Sequence, residues 1–358
     1  MAPDFVPGLR LAREFYAASV RPLLEERFPR LPYAAALLGP GSEVLGFDSQ
    51  RSTDHDWGPR LQVFLGDSDA ARCAAPVTAM LASRLPASFR GYPVAFPATR
   101  EPDGAARHRV QVTGLGAWLT SQLGSDPRYA VTVPDWLAIP AQRLAEFTAG
   151  EVFHDGPGEL SRARGSLAWY PHDVWLHLLA CQWQRIGQEE AFPGRCAEAG
   201  DDLGSIVVTA RLVRDLMRLC LLMHRRYPPY SKWLGTAVAR LPEGAGLTAS
   251  LTAAVSAGDW PAREQHLREA CETVAALHDE LGLTPPLTRA PAPSATAPTR
   301  SSVPGGSPRR CGRRSPTRRS GGCRLPARPA SSSTAPTPLA ISGSCGLAPR
   351  PDCSSAGA

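Results

Sequence analysis

The sequence predicts an α+β protein in which a small mixed sheet with flanking helices is followed by an all-α helical bundle and a disordered tail. Short apolar runs of strand length, bounded by glycine and proline, fill residues 1–130. Apolar residues at helical spacing dominate residues 134–285. Residues 286–358 are rich in Pro, Ser and Arg and contain no aromatic residue, so burial cannot offset the entropy of ordering them. An out-of-frame reading of GC-rich DNA would give a tail of this composition, and we assign it no role.

The first domain is predicted to begin with an amphipathic helix over residues 8–28, bent near Pro22 because proline removes a helical hydrogen bond. Apolar runs and turn residues then predict four strands and one intervening helix. In chain order these are a strand at Tyr33–Gly39, a strand at Arg60–Leu65, a helix at Asp67–Leu85, and strands at Gly91–Phe96 and His108–Thr113.

The second domain is predicted to be helical throughout. Apolar spacing indicates helices at Asp135–Ala149, Leu160–Trp169, Pro171–Ala191, Leu203–Tyr227 and Ala262–Leu281. The fourth of these is apolar on nearly all sides apart from its arginines, a pattern typical of the central helix of a bundle. We expect the reaction cleft between this bundle and the sheet.

Charge and cysteine content exclude some classes of function. The total charge is +6, yet residues 289–358 carry eleven arginines against one acid, a net +10, which leaves residues 1–288 at −4. The part predicted to fold is therefore mildly acidic, and nucleic-acid binding by it is not favoured. The nine cysteines form no Cys-x-x-Cys pair, which favours reduced thiols. Without an apolar stretch of ~18 residues or a secretion signal, we expect a cytoplasmic protein with no membrane partner.

The segment Gly41–Gly58, between the first two predicted strands, carries the chemistry. A Gly41-Ser42 turn comes first, and the acids Asp54 and Asp56 follow. If residues 54–56 are extended, the two carboxylates share one face about 6.7 Å apart. They then repel by about 2–3 kcal/mol at an effective dielectric near 20, and a divalent cation between them reverses that sign. The pattern predicts a metal site. The alternative, a surface hairpin with solvated acids, requires no Gly-Ser turn at a fixed offset.

This arrangement resembles the signature of the nucleotidyltransferase superfamily, the polymerase-beta-like fold that includes antibiotic nucleotidyltransferases. The longer segment GSEVLGFDS-x-x-STDHDWG resembles a bacterial subfamily of unestablished function. The resemblance implies that Asp54 and Asp56 bind Mg²⁺ in a two-metal site. It also implies that Ser42 and the backbone amides of the Gly41–Glu43 turn hold the phosphates of an NTP substrate.

Active members of the superfamily usually carry a third carboxylate on a later strand. The position that matches it here is Gln111, and an amide can neither accept a proton nor supply negative charge to a metal. Glu101 and Asp103 are near in sequence but fall on a predicted turn. Because Gln111 replaces the third carboxylate of the superfamily pattern, we expect the site for the second metal ion to be weakened.

The helical half supplies further candidates. The resemblance implies that a lysine and an aromatic residue reach the nucleotide, which singles out Lys232 and Tyr230. Arg211, Arg214 and Arg218 form one stripe on a helix that is otherwise apolar, and they are expected to face phosphate, water or acids such as Glu189.

Two features are predicted at the start of that helix. Asp201 or Asp202 is expected to cap it, and Ser205 is expected to be exposed in its first turn. Trp233 is expected to pack between helices.

The sequence thus predicts transfer of an NMP from an NTP to an unidentified acceptor, with release of pyrophosphate. The competing interpretation is a catalytically weakened or inactive nucleotide-binding or regulatory protein on the same fold. A third is modification of a protein partner by a minimal nucleotidyltransferase.

Overall fold

The N-terminal half is built on a five-stranded mixed sheet. A computed structural model describes residues 4–54, 57–97 and 106–286. The strands in these ranges are β1 Tyr33–Leu37, β2 Arg60–Leu65, β3 Ser88–Phe89, β4 Tyr92–Pro93, β5 Ala95–Pro97, β6 Ala106–Gly114 and β7 Glu151–Asp155. The sheet has the order β5-β6-β2-β1-β7, and β3 pairs with β4 separately. β2 and β6 are parallel, whereas β1 is antiparallel to both β2 and β7.

Helices flank this sheet and make up most of the C-terminal half. They are α1 Gly8–Phe15, α2 Arg21–Arg27, α3 Asp67–Arg84, α4 Leu115–Leu123, α5 Val133–Ala138, α6 Ala141–Thr148, α7 Glu159–Ser166, α8 His172–Glu189, α9 Phe192–Glu198, α10 Asp202–Met223, α11 Ser231–Ala239, α12 Gly244–Ser256 and α13 Trp260–Glu280. The predicted α+β class, with a mixed sheet followed by a helical half, is confirmed.

The two faces of the sheet are buried by different helices because strand side chains alternate. On β2, Leu61, Val63 and Leu65 join the cluster that includes residues of α1 to α3. Phe64 points to the opposite face and joins the cluster formed with the helical half. The predicted strand at Arg60–Leu65 is confirmed with the same bounds.

The first predicted helix is present with a local change of pitch. A π-helical stretch at Tyr16–Val20 separates α1 from α2, directly before Pro22. Proline cannot donate a hydrogen bond to the preceding turn, and a widened turn accommodates this loss. The bend predicted near Pro22 therefore takes the form of a π segment.

The helical half differs from the sequence prediction at several points. The helix predicted at Asp135–Ala149 is two helices, because Ile139 is extended before Pro140. β7 was missed and adds an edge strand to the sheet. Helices α4, α9, α11 and α12 were also missed. The central helix was predicted correctly, since α10 contacts α8, α9, α11, α12 and α13.

One hydrophobic cluster includes Ala34 and Phe64 of the sheet and Val274 of α13. The boundary between residues 130 and 134 stays a prediction, and this cluster contains residues from both sides of it. The predicted tail over residues 286–358 lies outside the described residues from position 287 onward. Among the described helices, none combines the length and apolarity that a membrane crossing requires.

Candidate functional site

The turn that carries Gly41 and Ser42 follows β1 and is fixed by hydrogen bonds from two sides. The side-chain amide of Gln62 on β2 accepts from the Leu38 amide and donates to the Leu38 carbonyl, each at 3.0 Å. Gly39 then donates to the Glu146 carbonyl of α6 at 3.0 Å. The chain therefore leaves the sheet in a direction set by both β2 and the helical half.

Arg60, the first residue of β2, forms hydrogen bonds with two residues of the turn. Its Nε donates to Glu43 Oε1 at 2.7 Å and its Nη2 donates to the Pro40 carbonyl at 2.7 Å. Glu43 is only 3% exposed, so this ion pair is buried and its charge is compensated. A Cβ at Gly41, whose φ is 151°, would overlap the Arg60 guanidinium. Glycine is therefore required at this position.

The residues after Gly41 form a short helical turn with unpaired amides at its start. Phe47 donates to the Ser42 carbonyl at 2.8 Å, and Gly46 donates to the Glu43 carbonyl at 3.1 Å. The backbone amides of Ser42, Glu43 and Val44 have no acceptor within the described residues. Consecutive free N–H groups at the start of a turn form an anion-binding concavity.

The acid pair lies before β2 and not on it. Asp54 ends a 3₁₀ helix that begins at Gln50, so the expected extended conformation is wrong for this residue. Gly58 and Pro59 separate the acids from β2, and proline cannot donate to a sheet ladder, which delays the start of the strand to Arg60. The Asp54 side chain and all of Asp56 lie outside the described residues.

The ends of this acidic segment are anchored. Asp48 Oδ2 accepts from the Gly8 amide at 2.7 Å and from Trp57 Nε1 at 3.2 Å. Trp57 is buried against Phe5 and Tyr92. The hydrogen bond between Asp48 and Trp57 therefore joins two residues that flank Asp54 in the sequence.

Gln111 lies on a strand, as the sequence predicts, and that strand, β6, is next to β2. Parallel pairing places Gln62 opposite Gln111 in register, and the Gln111 side chain is exposed. Glu101 and Asp103 lie outside the described residues. Within the part of the chain that the structure describes, no group of three His, Cys, Asp or Glu residues could hold a metal ion.

The donor set nevertheless suits magnesium. Mg²⁺ prefers carboxylate oxygens, and one or two protein carboxylates together with substrate phosphates are its usual ligands. Asp54 and Asp56 would supply two carboxylates, whereas Glu43 of the turn is already bonded to Arg60. This donor set would fit one Mg²⁺ better than two.

Of the candidate residues predicted in the helical half, those of α11 and the residue before it lie near the turn at Ser42. Trp233 of α11 stacks on Phe47 with ring centroids 5.3 Å apart. Its ring partner therefore lies in the loop after Ser42, whereas packing between helices was predicted. Tyr230 is 47% exposed and its amide donates to Gln142 at 2.7 Å. The Nζ of Lys232 lies 5.0 Å from the Trp233 ring centroid. Through Trp233, α11 thus contacts the loop that begins at Ser42.

Two arginines of the predicted stripe lie elsewhere. Arg211 forms an ion pair with Glu189 at 2.7 Å, which is one of the alternatives that the sequence left open. Arg214 is exposed. At ~1.5 Å per residue, Arg211 lies about 15 Å along α10 from Leu221, where the helix nears the loop after Ser42.

The start of α10 confirms one expectation and contradicts another. Asp201 caps the helix by accepting from the Gly204 amide at 2.8 Å. Ser205 was expected to be exposed, but it is fully buried and accepts a hydrogen bond from Arg263 at 2.8 Å. Because α13 packs on this turn of α10, the serine is enclosed.

A cavity of about 630 Å³, which was not predicted from the sequence, lies beside the loop after Ser42. We call it the arginine cavity, and the residues that define it are Phe47, Arg164, Arg225, Arg226, Tyr227 and Arg240. Burial lowers the pKa of the Arg164 guanidinium below its usual value. The one available signal was the pair Arg225-Arg226 after α10, where basic residues commonly complement a helix C-terminus.

Comparisons with known proteins add little to this geometry. Residues 136–234 match a family described as a domain of unknown function (DUF4037). No curated protein matches the chain. One solved structure that it resembles is a nucleotidyltransferase-like protein from Exiguobacterium sibiricum 255-15. The identity is 12% and the TM-score 0.31, with 76% of this chain and 74% of that chain covered. A TM-score this low supports no functional argument.

Proposed function

We propose that this protein is a metal-dependent nucleotidyltransferase that moves an NMP from an NTP to an acceptor hydroxyl. The observation that carries the proposal is the turn at Ser42, where the backbone amides of residues 42–44 have no acceptor within the described residues. The Asp54-x-Asp56 segment precedes β2, which pairs with the strand before this turn. Arg60 links the two, because it begins β2 shortly after the acids and donates to the turn at Pro40. Phosphates and a cation that binds them would therefore meet at one edge.

In this reaction the acceptor oxygen bonds to the α-phosphorus and the bond to the β-phosphate bridging oxygen breaks, releasing pyrophosphate. Ser42 and the amides of Ser42–Val44 would hold the phosphate chain, and Asp54 and Asp56 would hold Mg²⁺. When bound, the ion neutralises charge on the phosphates and polarises the reacting phosphoryl group. The acceptor proton passes to solvent, since Gln111 cannot accept it.

The test is magnesium-dependent pyrophosphate release from pooled NTPs in the presence of a cell metabolite extract. We expect release by the wild-type protein, and loss on the order of 100-fold or more in Asp54→Asn and Asp56→Asn. Asp173→Asn is the matched control, because Asp173 is an exposed acid on α8. Equal activity in all three variants would exclude the proposed role of the acid pair.

The alternative function is nucleotide binding without efficient turnover. The neutral amide at Gln111, on the strand parallel to β2, favours it. If the wild-type protein binds nucleotide through Asp54 but releases no pyrophosphate with any acceptor, the binding function replaces the transferase.

A further inference from the structure

The arginine cavity concentrates positive charge without a directly paired acid. Four guanidinium groups line it, and no acidic residue does. Within the described ranges, none of the four is paired with a carboxylate. Two unit charges ~10 Å apart repel by roughly 1.7 kcal/mol at an effective dielectric of 20. Residues 1–288 carry a net charge of −4, yet the acid that acts on Arg164, Glu151, forms no ion pair with it and does not line the cavity.

Two of these guanidinium groups are held by the backbone. Arg164 donates from Nη2 to the Thr148 carbonyl at 2.8 Å and to the Ala149 carbonyl at 3.0 Å, at the C-terminus of α6. Arg240 donates to the Gly46 carbonyl at 2.9 Å and lies 4.4 Å from the Phe47 ring centroid. Each guanidinium is therefore fixed in position and still has N–H groups that can donate to a ligand.

The other two differ in their freedom. Arg225 lies 4.6 Å from the Trp175 ring centroid and has a φ of 53°, a conformation uncommon for residues other than glycine. Arg226 is exposed, and no described residue bonds to its side chain. The Arg225 guanidinium is therefore positioned by Trp175, whereas the Arg226 guanidinium is free to move toward a ligand.

The ligand chemistry follows from this lining. Arginine is the preferred partner of phosphate because its planar fork of donors matches two phosphate oxygens. Phe47 and Tyr227 supply aromatic surface for an organic body. A volume of about 630 Å³ lies in the range of small-molecule sites. A cationic acceptor is excluded by charge.

The cavity lies next to the proposed phosphate site but does not include it. Its wall begins at Leu45, one helical turn after Ser42, and neither Ser42 nor Gly41 lines it. We propose that the arginine cavity binds a small phosphate monoester that serves as the acceptor, on the opposite side of the Leu45–Phe47 loop from the NTP. The acceptor role depends on the proposed transferase function, whereas the binding of the monoester does not.

The experiment is calorimetric titration of the full chain with ribose 5-phosphate, a phosphate monoester with free hydroxyl groups, in the absence of NTP and metal. We expect saturable binding that weakens roughly 10-fold to 100-fold in Arg226→Gln and in Arg240→Gln. Arg21→Gln is the control, because it removes the same charge from α2, where Arg21 is paired with Glu25. Thermal unfolding of each variant establishes that it is folded.

A second titration distinguishes the monoester from the phosphates of the nucleotide. With a non-hydrolysable ATP analogue and Mn²⁺ bound, ribose 5-phosphate is expected to bind with unchanged affinity. Displacement by the analogue would overturn the proposal, because the arginines would then belong to the nucleotide. Absence of binding at millimolar concentration, or equal binding by the arginine variants, would also overturn it. Asp54→Asn should leave this binding intact while abolishing pyrophosphate release, so that the two proposals fail separately.

Discussion

At the scale of single residues, Arg60 and Glu43 shape the turn that carries Ser42. Their buried ion pair joins the first residue of β2 to the loop after β1. If Arg60 were removed, Glu43 would be left as an uncompensated buried charge, which strongly destabilises the folded state. The turn is therefore part of the folded core, which explains how a loop with three unpaired amides keeps a defined shape.

We expect Arg60→Gln to lower the free energy of unfolding by roughly 2–4 kcal/mol, because it breaks this buried pair. Arg10→Gln breaks the exposed pair with Glu14 and should cost about 0.5 kcal/mol or less. Urea denaturation of both variants measures the difference. Similar losses in the two variants would show that the turn is not held by Arg60.

Gln111 provides a second prediction at this scale. The change Gln111→Glu places a carboxylate on the strand parallel to β2, opposite Gln62. If the missing acid limits turnover, this variant should release pyrophosphate at least ~10-fold faster than the wild-type protein. Steady-state rates under saturating Mg²⁺ measure it, with Gln122→Glu on α4 as the control. An unchanged rate would remove the argument that a third carboxylate is lacking.

At the scale of secondary-structure elements, α11 connects the helical half to the loop after Ser42. The stacked pair of Phe47 and Trp233 is the contact, and the Arg240 guanidinium lies 4.4 Å from the Phe47 ring centroid. An isolated aromatic pair of this kind contributes beyond its buried area. The loop after Ser42 is therefore positioned by a helix that is distant in sequence.

A double-mutant cycle on Phe47→Leu and Trp233→Leu should give a coupling free energy of about 0.5–1.5 kcal/mol. Chemical denaturation of the two single variants and the double variant supplies the cycle. Additive losses, with no coupling, would mean that α11 and the loop are stabilised independently.

Elements with strong local periodicity could be predicted from the sequence. β2 and α10 have continuous apolar patterns, and both were placed within a few residues of their bounds. β7 was missed because Glu151–Asp155 is short and polar, and it becomes a strand only by pairing with β1. The small residues of α12 gave no amphipathic pattern strong enough to predict a helix.

The candidate site divides in the same way. Gly41, Ser42 and the two acids form a local motif, and the sequence alone singled them out. The arginine cavity is lined by residues of α7, the end of α10 and α11, which are distant in sequence. The spacing of residues along the chain does not predict that these helices come together. Lys232 and Tyr230 remain predictions for nucleotide binding. Arg211 differs from them because it forms an ion pair with Glu189.

At the scale of the whole molecule, one hydrophobic cluster connects the sheet to α13. We therefore expect one cooperative thermal transition for the two predicted domains, with equal calorimetric and van't Hoff enthalpies. Leu216→Ala, a fully buried site in α10, should lower the midpoint of that single transition through the cavity it creates. Differential scanning calorimetry is the measurement. Two resolved transitions, with only one of them shifted, would show that the halves unfold independently.

The proposed function requires that the Ser42 turn and the acid pair form one site for a metal-bound nucleotide. Titration with a non-hydrolysable ATP analogue, with and without Mn²⁺, examines this requirement without an acceptor. We predict at least ~10-fold tighter binding with the metal, and loss of that gain in Asp54→Asn but not in Asp173→Asn. Equal affinity with and without Mn²⁺, or an unaltered metal effect in Asp54→Asn, would contradict the proposed function.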